Sequence, residues 1–425
     1  MFRQSWLSDA NHSENGFPLA HLPYGAFEVE DGQHLCVAVG AHLLDLYACA
    51  EAGLLPASLA TACRQPILNP LMALGPKAWA LLRESLTGLL EATSPRRKKT
   101  EAALHSIAGA TLAKPLHIPN YTDFYASIHH ATRVGQIFRP NQPLLPNYKH
   151  IPIGYHGRAS SIISSGMHII RPHGQTRPAT NGSQPKFAPT QSLDYELEVA
   201  LYIGQPNLLG TPIPIAEANQ HIFGIGLLND WSARDIQSWE YQPLGPFLGK
   251  SFATSISPWI TPTAALEPYL VPMHSRPATD PKPLKYLSSR LKEATRIPDI
   301  KLEVSITTET MRANNLAPFV LSQSSMRDLY WSTAQLIAHH TSNGCNLQTG
   351  DLIATGTISG PADSSAGCLL ELTRNGASPI KLPTGEVRAF LADGDEVILR
   401  GFCEARGHPR IALGECRATV LPARG

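Results

Sequence analysis

Neither sign of charge dominates this chain. Its 425 residues hold 35 Lys and Arg against 34 Asp and Glu, a net charge of +1. A nucleic-acid binder would carry a basic face or run. The one dense basic stretch, Arg96-Arg97-Lys98-Lys99, is short and reads as a solvated helix end. Cysteine is sparse. The seven cysteines, Cys36, Cys49, Cys63, Cys345, Cys368, Cys403 and Cys416, are odd in number and contain no C-x-x-C pair. That pattern fits a reducing compartment with free, mostly buried thiols. No uninterrupted apolar run reaches membrane-spanning length, which excludes a helical membrane protein. The start, Met1-Phe-Arg-Gln-Ser-Trp6, has no signal-peptide core. The expected location is therefore the cytoplasm, where the sequon Asn181-Gly-Ser183 carries no meaning. Tandem repeats are absent too. A nucleotide loop is excluded at Gly245-Pro-Phe-Leu-Gly249-Lys250-Ser251. Three residues separate its glycines where four are needed, Leu244 stands where glycine should, and Pro246 removes an amide donor.

What is present divides near residue 115. In residues 1–115, Phe27 to Val29 and Leu35 to Val39 read as strands around the turn at Asp31-Gly32. Leu43 to Leu59 and Ala78 to Leu90 have helical periodicity, the second with Leu81, Leu82, Leu86, Leu89 and Leu90 on one stripe. This piece lacks convergent polar groups, so its expected role is structural or regulatory. Residues 116–425 are richer in short strands: Leu193 to Gly204, Phe223 to Leu228, Lys301 to Thr308, Asp351 to Ala354, Leu369 to Thr373 and Glu396 to Phe402. Residues 267–298 read as a long proline-rich loop. Ser325 to Asn343 reads as an amphipathic helix closed by Gly344, and its His339-His340 pair lacks metal-site spacing. The expected class is mainly β with some α.

The candidate chemistry starts at Asn229-Asp230, where an apolar strand stops. Ser232 and Asp235 have the spacing of a capping box, predicting a short helix on which Arg234, Gln237 and Tyr241 share one face. Upstream, Thr122 is placed to cap a helix with Asp123 and His130 at i and i+7. The strand around Leu193–Gly204 alternates as a half-buried strand would, with Glu196 and Glu198 on one face. Like charges so placed repel unless a cation lies between them. Asp123, Glu196, Glu198 and Asp230 together would make an all-oxygen site, suited to Ca²⁺, Mg²⁺ or Mn²⁺ rather than zinc. A hard cation there could hold a chelating oxygen substrate. His130 could be the general base, with Glu371, an acid set in an apolar run, to orient it. Arg234, Gln237 and Lys250 could stabilise an oxyanion.

Several long stretches carry a resemblance. They are His21-Leu-Pro-Tyr-Gly-Ala-Phe27, Tyr121-Thr-Asp-Phe-Tyr125, Gly154-Tyr-His-Gly-Arg-Ala-Ser-Ser161, Asn229-Asp-Trp-Ser-Ala-Arg-Asp-Ile-Gln237 and Pro243-Leu-Gly-Pro-Phe-Leu-Gly-Lys-Ser-Phe252. With Leu145-Pro-Asn-Tyr148, Asn343-Gly-Cys-Asn-Leu347 and Ser359-Gly360, the chain resembles the fumarylacetoacetase family nearly end to end. The resemblance implies hydrolysis of a carbon–carbon bond in 4-fumarylacetoacetate, a diketo dicarboxylate, to fumarate and acetoacetate, the last step of tyrosine and phenylalanine catabolism. It implies Ca²⁺ or Mg²⁺ at Asp123, Glu196, Glu198 and Asp230, and a weaker cation position touching Lys250 and Thr254. It implies His130 as base supported by Glu371, and Arg234, Gln237 and Lys250 as oxyanion donors. Substrate contacts are implied at Tyr125, Arg139, Tyr155, Gln237, Tyr241 and Thr357. The implied fold is a small N-terminal barrel of the Src-homology-3 type over residues 1–115 and a larger β-sandwich roll over 116–425, in a homodimer without nucleotide cofactor, nucleic acid or membrane as partner. His129 departs from the family's polar residue, but Ala131-Thr132 fixes the register on His130. Two other readings compete. An acylpyruvate hydrolase, decarboxylase or hydratase of the same superfamily would usually lack the first domain. A non-catalytic cation-binding protein would have lost His130, Lys250 or Arg234, and none is lost.

Overall fold

The computed structural model describes the chain apart from residues 1, 2, 13–15, 179, 181 and 182. The start of the N-terminal hexapeptide and the first residues of the Asn181 sequon thus lie outside the described residues. The expected hairpin forms, with Tyr24–Val29 antiparallel to Gly32–Val39 across Asp31. It widens into a five-stranded sheet in the order Leu104–Ser106, His42–Asp45, Gly32–Val39, Tyr24–Val29, Leu112–Ala113. Among the described residues the two edge strands share no hydrogen bond, so closure of the Src-homology-3 type stays an expectation of the resemblance. The helix expected over residues 43–59 is a correction. Leu43 and Leu44 lie in the strand His42–Asp45, and the Asp45 carboxylate accepts from the amides of Tyr47 and Ala48, which starts the helix Leu46–Glu51 only there. A second helix, Ala57–Cys63, follows Pro56. The helix Pro76–Leu90 buries Leu82, Leu86, Leu89 and Leu90, while Leu81 is exposed.

The centre of the molecule is an eight-stranded sheet. Its main path runs Gly154–His156, Tyr121–Phe124, Leu352–Ala354, Leu197–Ile203, Ile222–Asp230, Thr254–Ile256, Ile162–Ser164. One face carries Ala200, Tyr202, Phe223, Leu228, Ile256 and Leu352 into a core shared with the N-terminal helices. The other face carries Val199, Leu201, Ile225, Leu227 and Ile353 against a second sheet, in the order Phe319–Ser325, Ile300–Thr307, Glu396–Cys403, Ile411–Leu421, Ile169–Ile170. This explains one misreading. The strand Leu197–Ile203 alternates between two apolar layers and is buried along its whole length rather than half-buried.

Two further elements differ from expectation. Residues 325–343 are not one helix. Ser325 ends a strand, a 3-10 turn spans Met326–Asp328, Leu329 to Trp331 are buried in an irregular stretch, and a capping box of Ser332 and Gln335 starts the helix at Thr333, which ends at Thr341. The strand expected over Leu369–Thr373 is the short helix Leu369–Leu372. A short apolar run has no period of its own, and here the carboxylate of Asp194 decides. It accepts from the amides of Leu369 and Leu370 at 2.7 and 3.0 Å and so holds the first turn of a helix. Within residues 267–298 the loop is broken by the strand pair Leu270–Pro272 and Arg296–Pro298. His339 and His340 are structural, bonded to Tyr286 and Thr122. All seven cysteines are free, and all but Cys345 are buried.

Phe223 joins the N-terminal helices to the central sheet, its ring 5.2 Å from both Tyr24 and Trp79. Phe223→Ala is expected to lower stability by about 3–5 kcal/mol in chemical denaturation, with a single transition retained. A loss below about 1 kcal/mol would mean that the shared core does not hold the two parts together.

Candidate active site

The central sheet ends in acid. Tyr121 and Asp123, Glu198 and Ala200, Leu228 and Asp230 are each two apart on their strands, so the three carboxylates share the face that carries Tyr121, Ala200 and Leu228 into the N-terminal core. Asp123 is paired in register with Ala354, and Glu198 with Leu228. Glu196 precedes its strand and is pinned by a bond from its amide to Asn229 Oδ1 at 3.0 Å. One oxygen from each of Asp123, Glu196, Glu198 and Asp230 lies within 4.8 Å of the others, and all four residues are buried. The positions named from sequence thus converge. The route differs: Asp123 stands on the strand Tyr121–Phe124, not on a helix capped by Thr122. The helix begins at Ile128, capped by Ser127, whose hydroxyl accepts the His130 amide.

Two cations compensate the cluster. Lys250 Nζ donates to Glu196 Oε2 and to Asp230 Oδ2, the latter at 2.8 Å. Arg234 Nη1 donates to Glu196 Oε1 at 2.7 Å and to Gln237 Oε1 at 3.2 Å, while Nε donates to Asp194 at 2.9 Å. Tyr155 OH and Thr254 Oγ1 each donate to Asp230 at 2.8 Å. The capping box expected at Ser232 and Asp235 is absent. Ser232 lies in a two-residue strand and donates to the Asp230 carbonyl, Asp235 takes Thr190 and the Gln191 amide, and the helix starts at Arg234.

The charges remain unbalanced. Burial and the neighbouring Asp230 push the Asp123 carboxyl well above the usual range, and burial with Asp123 does the same to Glu198. Burial also works against ionised Glu196, but Lys250, Arg234 and His130 outweigh it and hold that group low. Asp123 Oδ1 and Glu198 Oε1 are buried oxygens without a hydrogen-bond partner. Such atoms are costly unless something else meets them. A hard divalent cation fits this donor set of carboxylate oxygens. Arg234 Nη2 and Thr357 Oγ1 are also buried without partners.

Beside the cluster lies a second group. His130 Nδ1 is 2.6 Å from Glu371 Oε1, with His130 3% exposed. A carboxylate only accepts, so Nδ1 carries the proton and Nε2 is left free. Ser359 Oγ donates to the same oxygen at 2.7 Å, and the Tyr125 ring stands edge-on to the imidazole at 5.2 Å. Burial opposes the ionised Glu371, yet His130, Ser359 and Arg133 outweigh it and bring its carboxyl down to about 2. Gly356 packs against the carboxylate cluster. Its amide reaches Glu198 Oε2 at 3.1 Å, in a backbone at φ +76° where a Cβ would lie 2.0 Å from the Phe124 carbonyl oxygen. A pocket of about 180 Å³ opens on Asp230, Lys250, Thr254 and Tyr155.

Two predicted substrate residues stay outside this network. Arg139 caps the C-terminal end of its helix and, among the described residues, its side chain reaches only Pro143 O, with Nε unpartnered, although its charge still acts on Tyr125. Tyr241 is the half-buried C-cap of the helix Arg234–Glu240. Four participants were not singled out beforehand: Asp194, Ser359, Cys368 and Arg133. Asp194 had a sequence signal, as a third acid beside Glu196 and Glu198, and Ser359 stood in one of the stretches that carry the resemblance.

Residues 120–421 match the fumarylacetoacetate (FAA) hydrolase C-terminal family, and residues 20–117 the fumarylacetoacetase N-terminal family. The fumarylacetoacetases of Bos taurus and Homo sapiens are each 45% identical over 419 residues, covering 96% of this chain and 97% of their own. That of Arabidopsis thaliana is 45% identical over 421 residues, covering 97% of both chains. Among solved structures, a fumarylacetoacetate hydrolase from psychrophilic Exiguobacterium antarcticum superposes with a TM-score of 0.53 at 18% identity. That match covers 95% of this chain and 100% of the other, and it is a likeness of fold. With a family match on each part of the chain and relatives this similar from end to end, the chain belongs to the fumarylacetoacetase family.

Proposed function

We propose that this enzyme hydrolyses the carbon–carbon bond of 4-fumarylacetoacetate, releasing fumarate and acetoacetate. The observation that carries the reading is the juxtaposition of four buried carboxylates, two with unpartnered oxygens, and a His130–Glu371 pair. A diketone offers two oxygens to chelate, and its cleavage expels a carbanion that is tolerable only as an enolate. Asp123, Glu196, Glu198 and Asp230 would hold the cation, Ca²⁺ or Mg²⁺ in this reading, with Lys250 and Thr254 around Asp230. Such an ion, when bound, supplies Lewis-acid polarisation of the attacked carbonyl.

The protein's own groups do the rest. His130 Nε2 takes a proton from water, which attacks the carbonyl. Glu371 keeps Nδ1 protonated and steadies the imidazolium. The unpartnered Arg234 Nη2 is a donor ready for the oxyanion, with Gln237 and Lys250 beside it. When the carbon–carbon bond breaks, the electron pair passes to the acetoacetate fragment, and the proton held at Nε2 can return to it. Tyr155 donates to Asp230 and the Tyr125 ring stands against His130, and these two, with Thr357, Arg139 and Tyr241, are assigned to the substrate on the resemblance.

The division into residues 1–115 and 116–425, a homodimer and a cytoplasmic setting complete the proposal. The division is supported by the two family matches, over residues 20–117 and 120–421, the homodimer by the resemblance, and the cytoplasmic setting by the free thiols. No helix among the described residues is long and apolar enough to cross a membrane.

Incubation with fumarylacetoacetate is expected to abolish the diketone absorbance, with acylpyruvates turned over far more slowly. The reverse preference would favour the related hydrolase. Chelation should remove activity, and Ca²⁺, Mg²⁺ or Mn²⁺ should restore it. Full turnover in a rigorously metal-free sample would rule out the carboxylate site. His130→Ala should fold normally and lose turnover by a factor of about 10² or more, and a variant retaining most of its rate would sink the base assignment.

A further inference from the structure

The two oxygens of Glu371 are served unequally. Oε1 accepts from His130 Nδ1, Ser359 Oγ and Cys368 Sγ, at 2.6, 2.7 and 3.3 Å. Among the described residues, Oε2 accepts only from Arg133 Nη1, at 3.2 Å. The carboxylate is fully buried, and a buried charged oxygen without a donor is strongly disfavoured. Without Arg133 the carboxylate would gain by turning, so that its two oxygens shared the three donors now at Oε1. Any such turn moves the acceptor away from Nδ1.

Arg133 is placed for this task by helix geometry. It stands three residues after His130 on the helix Ile128–Phe138, and side chains so spaced share a face. Both reach one carboxylate from successive turns. The guanidinium is itself held, since Nη2 donates to the carbonyls of Pro361 and Ala362 at 3.0 and 2.8 Å. Those residues continue the loop from Ser359, the other donor to Glu371. Arg133, Glu371 and Ser359 therefore form a closed ring of contacts around the base.

We propose that Arg133 is a positioning residue for the reaction: by occupying Oε2 it fixes Glu371 so that Oε1 faces His130 Nδ1 and the imidazole presents Nε2 to water. The inference rests on the reading of His130 as base. The competing role is a staple for the loop at Pro361–Ala362, which would leave the chemistry to others.

The test is a double-mutant cycle on the full-length enzyme with its activating cation, reading kcat and KM for Arg133→Met, Arg133→Lys, Glu371→Gln and Arg133→Met with Glu371→Gln. Arg133→Met is expected to lower kcat about 10-fold or more with KM held within about twofold. Arg133→Lys should recover most of the loss, because an ammonium can still meet Oε2 although it cannot span both carbonyls. In the Glu371→Gln background, Arg133→Met should cost nothing further. An equal loss in both backgrounds, a Lys variant as poor as the Met variant, or an unchanged kcat in Arg133→Met would each overturn the proposal. A Glu371→Gln enzyme at the parent rate is a different result and would overturn the reading of the His130–Glu371 pair. Should Arg133→Met fail to fold, the Lys variant, alone and with Glu371→Gln, carries the same comparison.

Discussion

Like charge packed into a dry place is the constraint on which this structure depends. Four carboxylates meet within 4.8 Å at the end of a sheet whose faces are both covered. In isolation such a cluster would protonate or come apart. It is instead surrounded by donors held on the elements around it, Lys250 in a turn, Arg234 on a helix, and Tyr155 and Thr254 on strands. Lys250 spans Glu196 and Asp230, Arg234 spans Glu196 and Asp194, Thr254 reaches Asp230 from the neighbouring strand, and Tyr155 reaches it from the edge strand Gly154–His156. Four carboxylates are met by two cations, one of them shared with Asp194. The residual negative charge and the unpartnered oxygens of Asp123 and Glu198 are what a divalent cation would answer.

Asp194 links this cluster to the basic group. Its carboxylate takes Arg234 Nε on one side and the amides of Leu369 and Leu370 on the other. Arg234 leans on the cluster, and the Leu369–Leu372 helix carries Glu371 to His130. One buried acid thus sets the distance between the donor assigned to the oxyanion and the acid that orients the base. It is a supporting contact of the sort that lets a site hold its geometry within fractions of an ångström.

Much of this was legible in the chain. An apolar strand stopping at Asn229-Asp230 and two glutamates at period two marked the carboxylates because strand parity is set by local geometry. The route to His130 was not, because Thr122 and Ser127 are both hydroxyl residues upstream of a helical run. Only the pairing of Thr122 with His156 and Ile353 makes the first of them part of a strand. Glu371 was singled out for its setting, yet its backbone was misassigned. Leu-Leu-Glu-Leu has no period that separates strand from helix, and the deciding contact comes from Asp194, 175 residues away. Arg133 gave no signal at all, since its partners Glu371, Pro361 and Ala362 are distant in sequence.

The N-terminal part can be read in the same terms. It places no charged group on the carboxylate cluster among the contacts described, yet it is more than an appended module. Its helices and the hairpin at Tyr24 fill one face of the central sheet, burying Tyr202, Phe223 and Leu228 in a continuous core. That is the face on which Asp123, Glu198 and Asp230 stand. Stripped of that layer, the strands Leu197–Ile203 and Ile222–Asp230 would show water an apolar face beside the acids. Water there would weaken every electrostatic contact in the cluster, attraction and repulsion alike. The layer without catalytic groups is thus part of what keeps the carboxylates in a medium where a bound cation, a lysine and an arginine act strongly upon them.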